Sequence, residues 1–265
     1  MDYFDSHCHL QLSQFDEDRE AALVRMQEHK TGGVVVGTDY AMSVAAVELA
    51  KQHDFLWAAV GLHPNDNADE LFDSPAYEKL ARDPKVVAIG ECGLDYFRGG
   101  GTFEEKTTQR MRFEMQIELA AKVGKPLIIH CRDSQQRIAN ITSAHEEMLN
   151  ILGQRKLDIP VIIHFFTGTG ELAQKYVELG CYLSFPGPIT YTDMYDQSIL
   201  DTPMDRILSE TDSPFAAPVP YRGKRNEPSY VDHVVAKIAL IKEMDLPDVA
   251  AQIVQNSQKV FGVAG

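Results

Sequence analysis

Short apolar runs alternate along this chain with longer polar stretches that carry apolar residues at helical spacing. Tyr3–His7 reads as a first strand, and Asp16–Lys30 as a helix with Leu23 and Met26 on one face. Gly33–Gly37 predicts a second strand, followed by a helix over Ser43–His53 with Val44, Val47 and Leu49. Leu56–Gly61 and Val86–Gly90 are the third and fourth strands. A helix over Glu104–Val123 stops at Gly124, and Pro126 opens the fifth strand, Leu127–His130. Ile159–Phe165, Cys181–Phe185 and Arg206–Thr211 bring the count of strands to eight.

Most of these strands are unbroken apolar runs, which is how a parallel sheet covered on both faces reads. Two architectures share that pattern, a doubly wound open sheet and a TIM (β/α)8 barrel. Titratable side chains separate them. His7 and His9, Glu91, His130, His164 and Asp212 each follow an apolar run, at the exits of the first, fourth, fifth, sixth and eighth strands. Every run except the last is then followed by a polar, helix-like stretch. A closed barrel brings all strand exits to one rim, whereas an open sheet does not gather these five. The expected fold is therefore a TIM barrel, a single domain over residues 1–265.

Composition narrows the setting. The chain is 44% hydrophobic and 24% charged, enough apolar material for a large core. No run approaches the roughly 20 apolar residues of a membrane span. The opening Met1-Asp2-Tyr3-Phe4-Asp5 lacks the positive stretch of a secretory signal, so the chain reads as cytoplasmic, without membrane association. Cys8, Cys92, Cys131 and Cys181 are too few for a disulfide framework and read as small buried hydrophobes. Strand alternation turns Cys8 into the helix layer when His7 and His9 point inward. The net charge of −14 excludes tight non-specific nucleic-acid binding, because phosphate contacts dominate that affinity. A nucleic-acid substrate must be held locally, by cations and a few basic side chains, with end-directed contact.

His7-Cys8-His9 places two imidazoles on one strand face, where both can grip one ion. Asp5, two residues earlier, is expected on that face as a supporting partner. Glu91 leaves a buried strand, which is costly unless its carboxylate is paired or metal-bound, and its two oxygens suit it to bridge two cations. His130 and His164 end strongly apolar runs, and Glu210 shares the inward face of Asp212. Singly, each of these histidines reads as an ordinary hydrogen-bonded core group. Five of the nine histidines, His63 included, fall at strand exits, which points to a joint metal site. His29, His53, His145 and His233 are expected as solvated surface groups. The ligand set suits Zn²⁺, and its carboxylates admit Mg²⁺ or Mn²⁺. Two divalent ions sharing Glu91 would activate a water, with Asp212 as general base.

Two loops flank this rim. Tyr96–Thr102 carries Gly99-Gly100-Gly101 but lacks the ending of a phosphate-binding P-loop. Asp212–Pro228 carries Arg222, Lys224 and Arg225, which with Arg132 are candidates to neutralise a phosphate. His63, at the third strand's exit, is a candidate substrate contact or supporting group.

Ser6-His7-Cys8-His9-Leu10, Gly61-Leu62-His63-Pro64, Gly90-Glu91-Cys92-Gly93-Leu94-Asp95-Tyr96, His164-Phe165-Phe166-Thr167-Gly168, Glu210-Thr211-Asp212-Ser213-Pro214 and Asn226-Glu227-Pro228 resemble the signature blocks of TatD-type metal-dependent deoxyribonucleases. The resemblance runs from near the N-terminus to Pro228. It implies an amidohydrolase-like TIM barrel with two divalent ions. His7, His9 and Asp212 would hold one ion, His130 and His164 the other, and Glu91 would bridge. The implied activity is hydrolysis of DNA phosphodiesters, often from a 3′ end, with DNA or oligonucleotide ends as substrate and no obligate protein partner. Phe165 stands where the family usually has cysteine, and Cys92 where threonine is common, departures that bear on substrate fit. The competing activity is a metal-dependent amidohydrolase or esterase opening an amide, lactone or acyl-tRNA ester. A non-catalytic metal-binding or partner-docking barrel is disfavoured, since a closed structural zinc site needs no bridging glutamate or paired ions.

Overall fold

The computed structural model describes residues 1–65, 70–97, 102–134 and 143–264. Its strands are β1 (Tyr3–Cys8), β2 (Thr31–Val36), β3 (Leu56–Val60), β4 (Val86–Asp95), β5 (Leu127–Arg132), β6 (Val161–Ile163), β7 (Tyr182–Phe185) and β8 (Ile207–Ser209). They form one sheet in chain order, and every neighbouring pair is parallel. Just past β8 the chain returns to β1: Asp212 N–H donates to the His7 carbonyl at 2.9 Å, and His9 N–H to the Ser213 carbonyl at 2.8 Å. These bonds join the last strand to the first, and the expected TIM barrel is what forms.

Helices α1 (Arg19–Glu28), α2 (Tyr40–Lys51), α3 (Ser74–Ala81), α4 (Phe103–Val123), α5 (Ala144–Arg155), α6 (Gly170–Glu178), α7 (Asp196–Asp201), α8 (Val231–Lys242) and α9 (Leu246–Phe261) surround it. Helix α4 shows why the local sequence suffices for some of them. Thr102 and Glu105 cap its start reciprocally, and Gly124 ends it at φ 67°. None of the described helices is long and apolar enough to cross a membrane.

Two apolar layers result from strand alternation. Phe4, Val34, Ala59, Val87, Ile128 and Ile162 fill the barrel, while Leu23, Val47, Tyr77 and Phe113 lie in the layer between strands and helices. Cys8 and Cys92 belong to that outer layer, and all four cysteines are free thiols. Helix α9 seals the floor. Its Val254, Val260 and Phe261 join the interior cluster, with Phe261 stacked on Phe4 at 5.8 Å. Asn256 Nδ2 ties α9 to the approach and start of β8 through the carbonyls of Met204 and Ile207, at 2.7 and 2.8 Å. With its floor covered by α9, the barrel has a cavity at the strand exits.

Some expectations need correction. A loop and then two helices come after β8, where the pattern predicts no helix. Strand β4 continues five residues beyond its expected end, so Glu91 lies within a strand and not past one. His145 is half-buried, with Nδ1 2.9 Å from the Tyr176 hydroxyl, and not a solvated surface group. Of the glycine-rich loop Tyr96–Thr102, residues 98–101 lie outside the described residues.

Candidate metal centre

Simple alternation does not aim the site's side chains; two irregularities in the sheet do. On β1, Asp5 pairs with Gly33 and Cys8 with Val35, a step of three residues against two. On β4, Ile89 pairs with Leu127 and Cys92 with Ile129, again three against two. Each extra residue re-aims its neighbours, as bulges beside active sites commonly do. The bulge on β4 contains Glu91, and glycines flank that residue closely. Gly90 and Gly93 have φ of 151° and 138°, and a Cβ at Gly93 would run into the His130 carbonyl. Glycine there lets β5 approach and brings His130 alongside Glu91.

The β1 bulge also overturns the placement of Asp5 beside the His7 ring. A Cβ on Gly33 would meet both the Asp5 Cβ and the Met26 side chain of α1, so Asp5 faces the helix layer. Its carboxylate accepts the backbone N–H groups of His7 at 3.2 Å and Thr211 at 2.9 Å, and the Thr211 hydroxyl. Asp5 thus fixes the backbone of β1 against the chain after β8, supporting His7 and Asp212 indirectly. Burial pushes its pKa well above the carboxylate range, although the Thr211 and His7 hydrogen bonds oppose that shift.

The barrel brings together all six predicted ligands. Around Glu91 Oε2 stand His7 Nε2 at 3.3 Å and His9 Nε2 at 3.8 Å. Asp212 Oδ1 lies 3.3 Å from His9 Nε2 and 3.8 Å from His7 Nε2, and the two imidazole nitrogens are 3.2 Å apart. Four ligands at zinc-type distances and tetrahedral angles stand roughly 3.3–3.6 Å from one another. His7, His9 and Glu91 are close enough to share one ion, and Asp212 lies near that spacing from both imidazoles. Around the other oxygen, Glu91 Oε1, stand His130 Nδ1 and His164 Nε2, each at 2.9 Å, with 3.4 Å between the two nitrogens. Three donors leave room for a further ligand from the cavity that His130 and His164 line.

The outer ring nitrogens of His9, His164 and His130 each have an oxygen close by, whereas that of His7 has no hydrogen bond. His9 Nδ1 lies 2.8 Å from the Val36 carbonyl, His164 Nδ1 3.2 Å from Glu210 Oε1, and His130 Nε2 3.3 Å from Asp95 Oδ2. Such partners fix tautomer and ring orientation. Electrostatics match the same layout. Burial works against the Glu91 carboxylate, yet His164, His63 and His130 hold its pKa well below the usual range. Burial likewise disfavours a charged His164, but Glu91 and Glu210 raise its pKa well above that of an ordinary imidazole. His9 and His130 are also raised against burial, chiefly by Asp212 and by Asp95 respectively. His7 behaves differently from these three imidazoles: burial and His164 lower its pKa. A cluster of imidazoles facing carboxylates in a low-dielectric cup favours positive charge, and divalent cations can supply it in place of protons.

The expected substrate contacts separate into those near the centre and those away from it. A cavity of about 520 Å³ opens over Glu91 and Asp212, lined also by His63, Arg132, Phe165, Tyr195 and Phe215. His63 Nε2 lies 3.6 Å from Glu91 Oε1, and its Nδ1 accepts the Asn65 N–H at 3.2 Å. Arg132 is exposed, its guanidinium 3.9 Å over the Phe97 ring. Arg222 and Lys224 are exposed and do not line the cavity; Arg222 packs over Tyr191 at 4.2 Å. Arg225 has a different occupation from the one expected. It grips Asp18 with two bonds at 2.5 and 2.7 Å, and Glu227 at 3.0 Å. That bidentate pairing clamps the loop after Asp212 onto the segment before α1 and leaves the guanidinium committed.

Sequence reasoning left Asp95 out of the site and noted Glu210 only as inward-facing. Asp95 lies four residues past Glu91 on an extended strand, hence on its face, a signal hidden by ending the strand at Gly90. Phe215, 48% exposed with its ring 6.3 Å from that of His9, carried no sequence signal beyond its loop.

Known proteins match this chain over nearly its whole length. The family profile described as TatD related DNase matches residues 4–262. A metal-dependent hydrolase of Bacillus subtilis, YabD, is 39% identical over 264 residues, covering 98% of this chain and 99% of the relative. The 3′-5′ ssDNA/RNA exonuclease TatD of Erwinia tasmaniensis is 31% identical over 271 residues, covering 98% of this chain and all of the relative. The crystal structure of YjjV, a TatD homologue from Escherichia coli K12, aligns with a TM-score of 0.87 at 26% identity over 99% of each chain.

Proposed function

We propose, from the premise that this chain belongs to the TatD-related DNase family of metal-dependent hydrolases, that it is a two-ion exonuclease removing nucleotides from 3′ ends of single-stranded nucleic acid. The observation that carries the reading is the division of Glu91. One oxygen faces His7 and His9, with Asp212 beyond them, and the other faces His130 and His164. His7, His9, Asp212 and Glu91 would hold one divalent ion; His130, His164 and Glu91 the other. Zn²⁺, Mg²⁺ or Mn²⁺ suits this mixture of imidazole and carboxylate. When bound, such a pair makes a water acidic and draws charge from a phosphoryl oxygen.

The chain's own groups supply the rest. Asp212 takes the water's proton, from a carboxylate that lines the cavity. Two dications with open coordination positions would put the phosphate-attracting charge at the base of the cavity, in a protein of net charge −14. Attraction for phosphate is then confined to the site, which favours a strand end over the side of a duplex. At the rim Arg132 can meet a phosphate, and the exposed ring of Phe215 can stack on a base. These rim groups favour a nucleotide over a lactone or simple amide.

The test uses single-stranded DNA labelled at either end, with and without EDTA, with Mg²⁺, Mn²⁺ or Zn²⁺ restored. Mononucleotide release from the 3′ end that EDTA stops is expected. Activity that survives EDTA, or none with any of the three ions, defeats the reading. In the same assay Phe215→Ala is expected to raise KM, with stacking on an aromatic worth about 1–3 kcal/mol per base. An unchanged KM removes the base contact.

A further inference from the structure

We propose that Glu210 is a positioning residue for both halves of the centre, holding the His7 and His164 rings with their Nε2 atoms turned toward Glu91. These two rings come from opposite halves, His7 from β1 and His164 from the end of β6, yet they stack on each other. Their centroids are 3.9 Å apart and their planes 16° from parallel. One edge of the stack meets Glu91, with His7 Nε2 at 3.3 Å from Oε2 and His164 Nε2 at 2.9 Å from Oε1.

The other edge meets Glu210. This residue comes directly after β8, is 0% exposed, and has its backbone N–H on the Phe185 carbonyl at 3.1 Å. Its Oε1 takes His164 Nδ1 at 3.2 Å and the Phe165 N–H at 2.8 Å. Its Oε2 is buried without a hydrogen bond, and so is His7 Nδ1. A ligand atom of each of His7, His164 and Glu210 lies within 4.8 Å of the others. Two unpartnered polar atoms in one dry pocket are a cost that a hydrogen bond between them would remove. In the proposed arrangement the side chains turn so that Glu210 Oε2 accepts the His7 Nδ1–H, while Oε1 keeps that of His164.

The stacked imidazoles are then held between two carboxylates. Glu210 fixes the Nδ1–H tautomer in each, which leaves both Nε2 lone pairs facing Glu91. Because the rings touch, tilting one displaces the other, and both ion positions depend on one buried glutamate.

The inference rests on the two-ion reading, and zinc titration of the EDTA-stripped full chain, monitored by calorimetry, tests the two separately. Wild type is expected to bind two Zn²⁺ ions, and Glu210→Gln to weaken both by ~10–100-fold, the usual effect of losing such a partner. Fewer than two Zn²⁺ on wild type overturns the two-ion reading. Two on wild type with only one weakened in Glu210→Gln, or neither, overturns the shared role of Glu210 alone. Should Glu210→Gln fail to fold, ¹⁵N-histidine spectra of the zinc-loaded wild type decide. Nδ1–H on both His7 and His164 is expected, and a proton absent from Nδ1 of His7 refutes the arrangement.

Discussion

Asp212→Asn is expected to lower kcat on single-stranded DNA by about 10²–10⁴-fold, the usual contribution of a positioned general base. The substitution disturbs the backbone little, and a metal assay separates loss of the base from weakening of the ligand. Asp212 has φ of 55°, a left-handed conformation that asparagine adopts about as readily as aspartate. Its backbone N–H stays on the His7 carbonyl, so the junction that closes the barrel survives. The amide is of the same size, so no cavity opens, and its carbonyl oxygen remains near His9. Asp212→Ala is a poorer test, since alanine in that conformation costs about 1–2 kcal/mol of stability and removes the ligand altogether. Single-turnover rates beside a thermal melt and a metal assay check the outcome. A variant that keeps its melt and its metal but also turns over within a few-fold of wild type would falsify Asp212 as the base.

The barrel and its six inward groups are legible in the sequence because both rest on local facts. Apolar runs such as Leu127-Ile128-Ile129 have few alternatives to a buried strand, and barrel closure brings the residues just past each run to a common rim. The features that stayed hidden depend on register or on distant partners. The three-against-two steps at Ser6–His7 and Gly90–Glu91 exist only between paired strands, so alternation along β1 alone misplaces Asp5. Arg225 reads as a free cation in its own loop, because the carboxylate that binds it, Asp18, lies about two hundred positions earlier. Helix α8 is apolar at Val231, Val234, Val235, Ile238 and Ala239 and buried there, but a long loop separates it from β8 and masks its place in the repeat. Phe215 and Arg132 acquire a role only when the cavity beside them is known.

Glu91→Gln is expected to remove more function than any other single substitution, because in the proposed two-ion centre Glu91 is the ligand common to both ion positions. The amide keeps one oxygen, so it offers an acceptor to one half and a pair of donors to the other. Those donors face ring nitrogens whose lone pairs the ions require. The expected loss is at least about 100-fold in metal affinity, the upper effect of a supporting partner and a lower bound for a ligand. Stability should divide in a telling way. Without Glu91, His164 loses the largest influence raising its pKa and can shed its proton, so no stranded charge stays in the core. The metal-free variant should therefore melt close to the metal-free wild type. Wild type, by contrast, gains about 2.7 kcal/mol from an ion present at a hundred times its Kd, a gain the variant forfeits at that concentration. Melts with Zn²⁺ and with EDTA read the difference directly. A Glu91→Gln protein that still carries two ions, and still melts higher with Zn²⁺ by the wild-type margin, would mean that the carboxylate between the histidines is not the bridge.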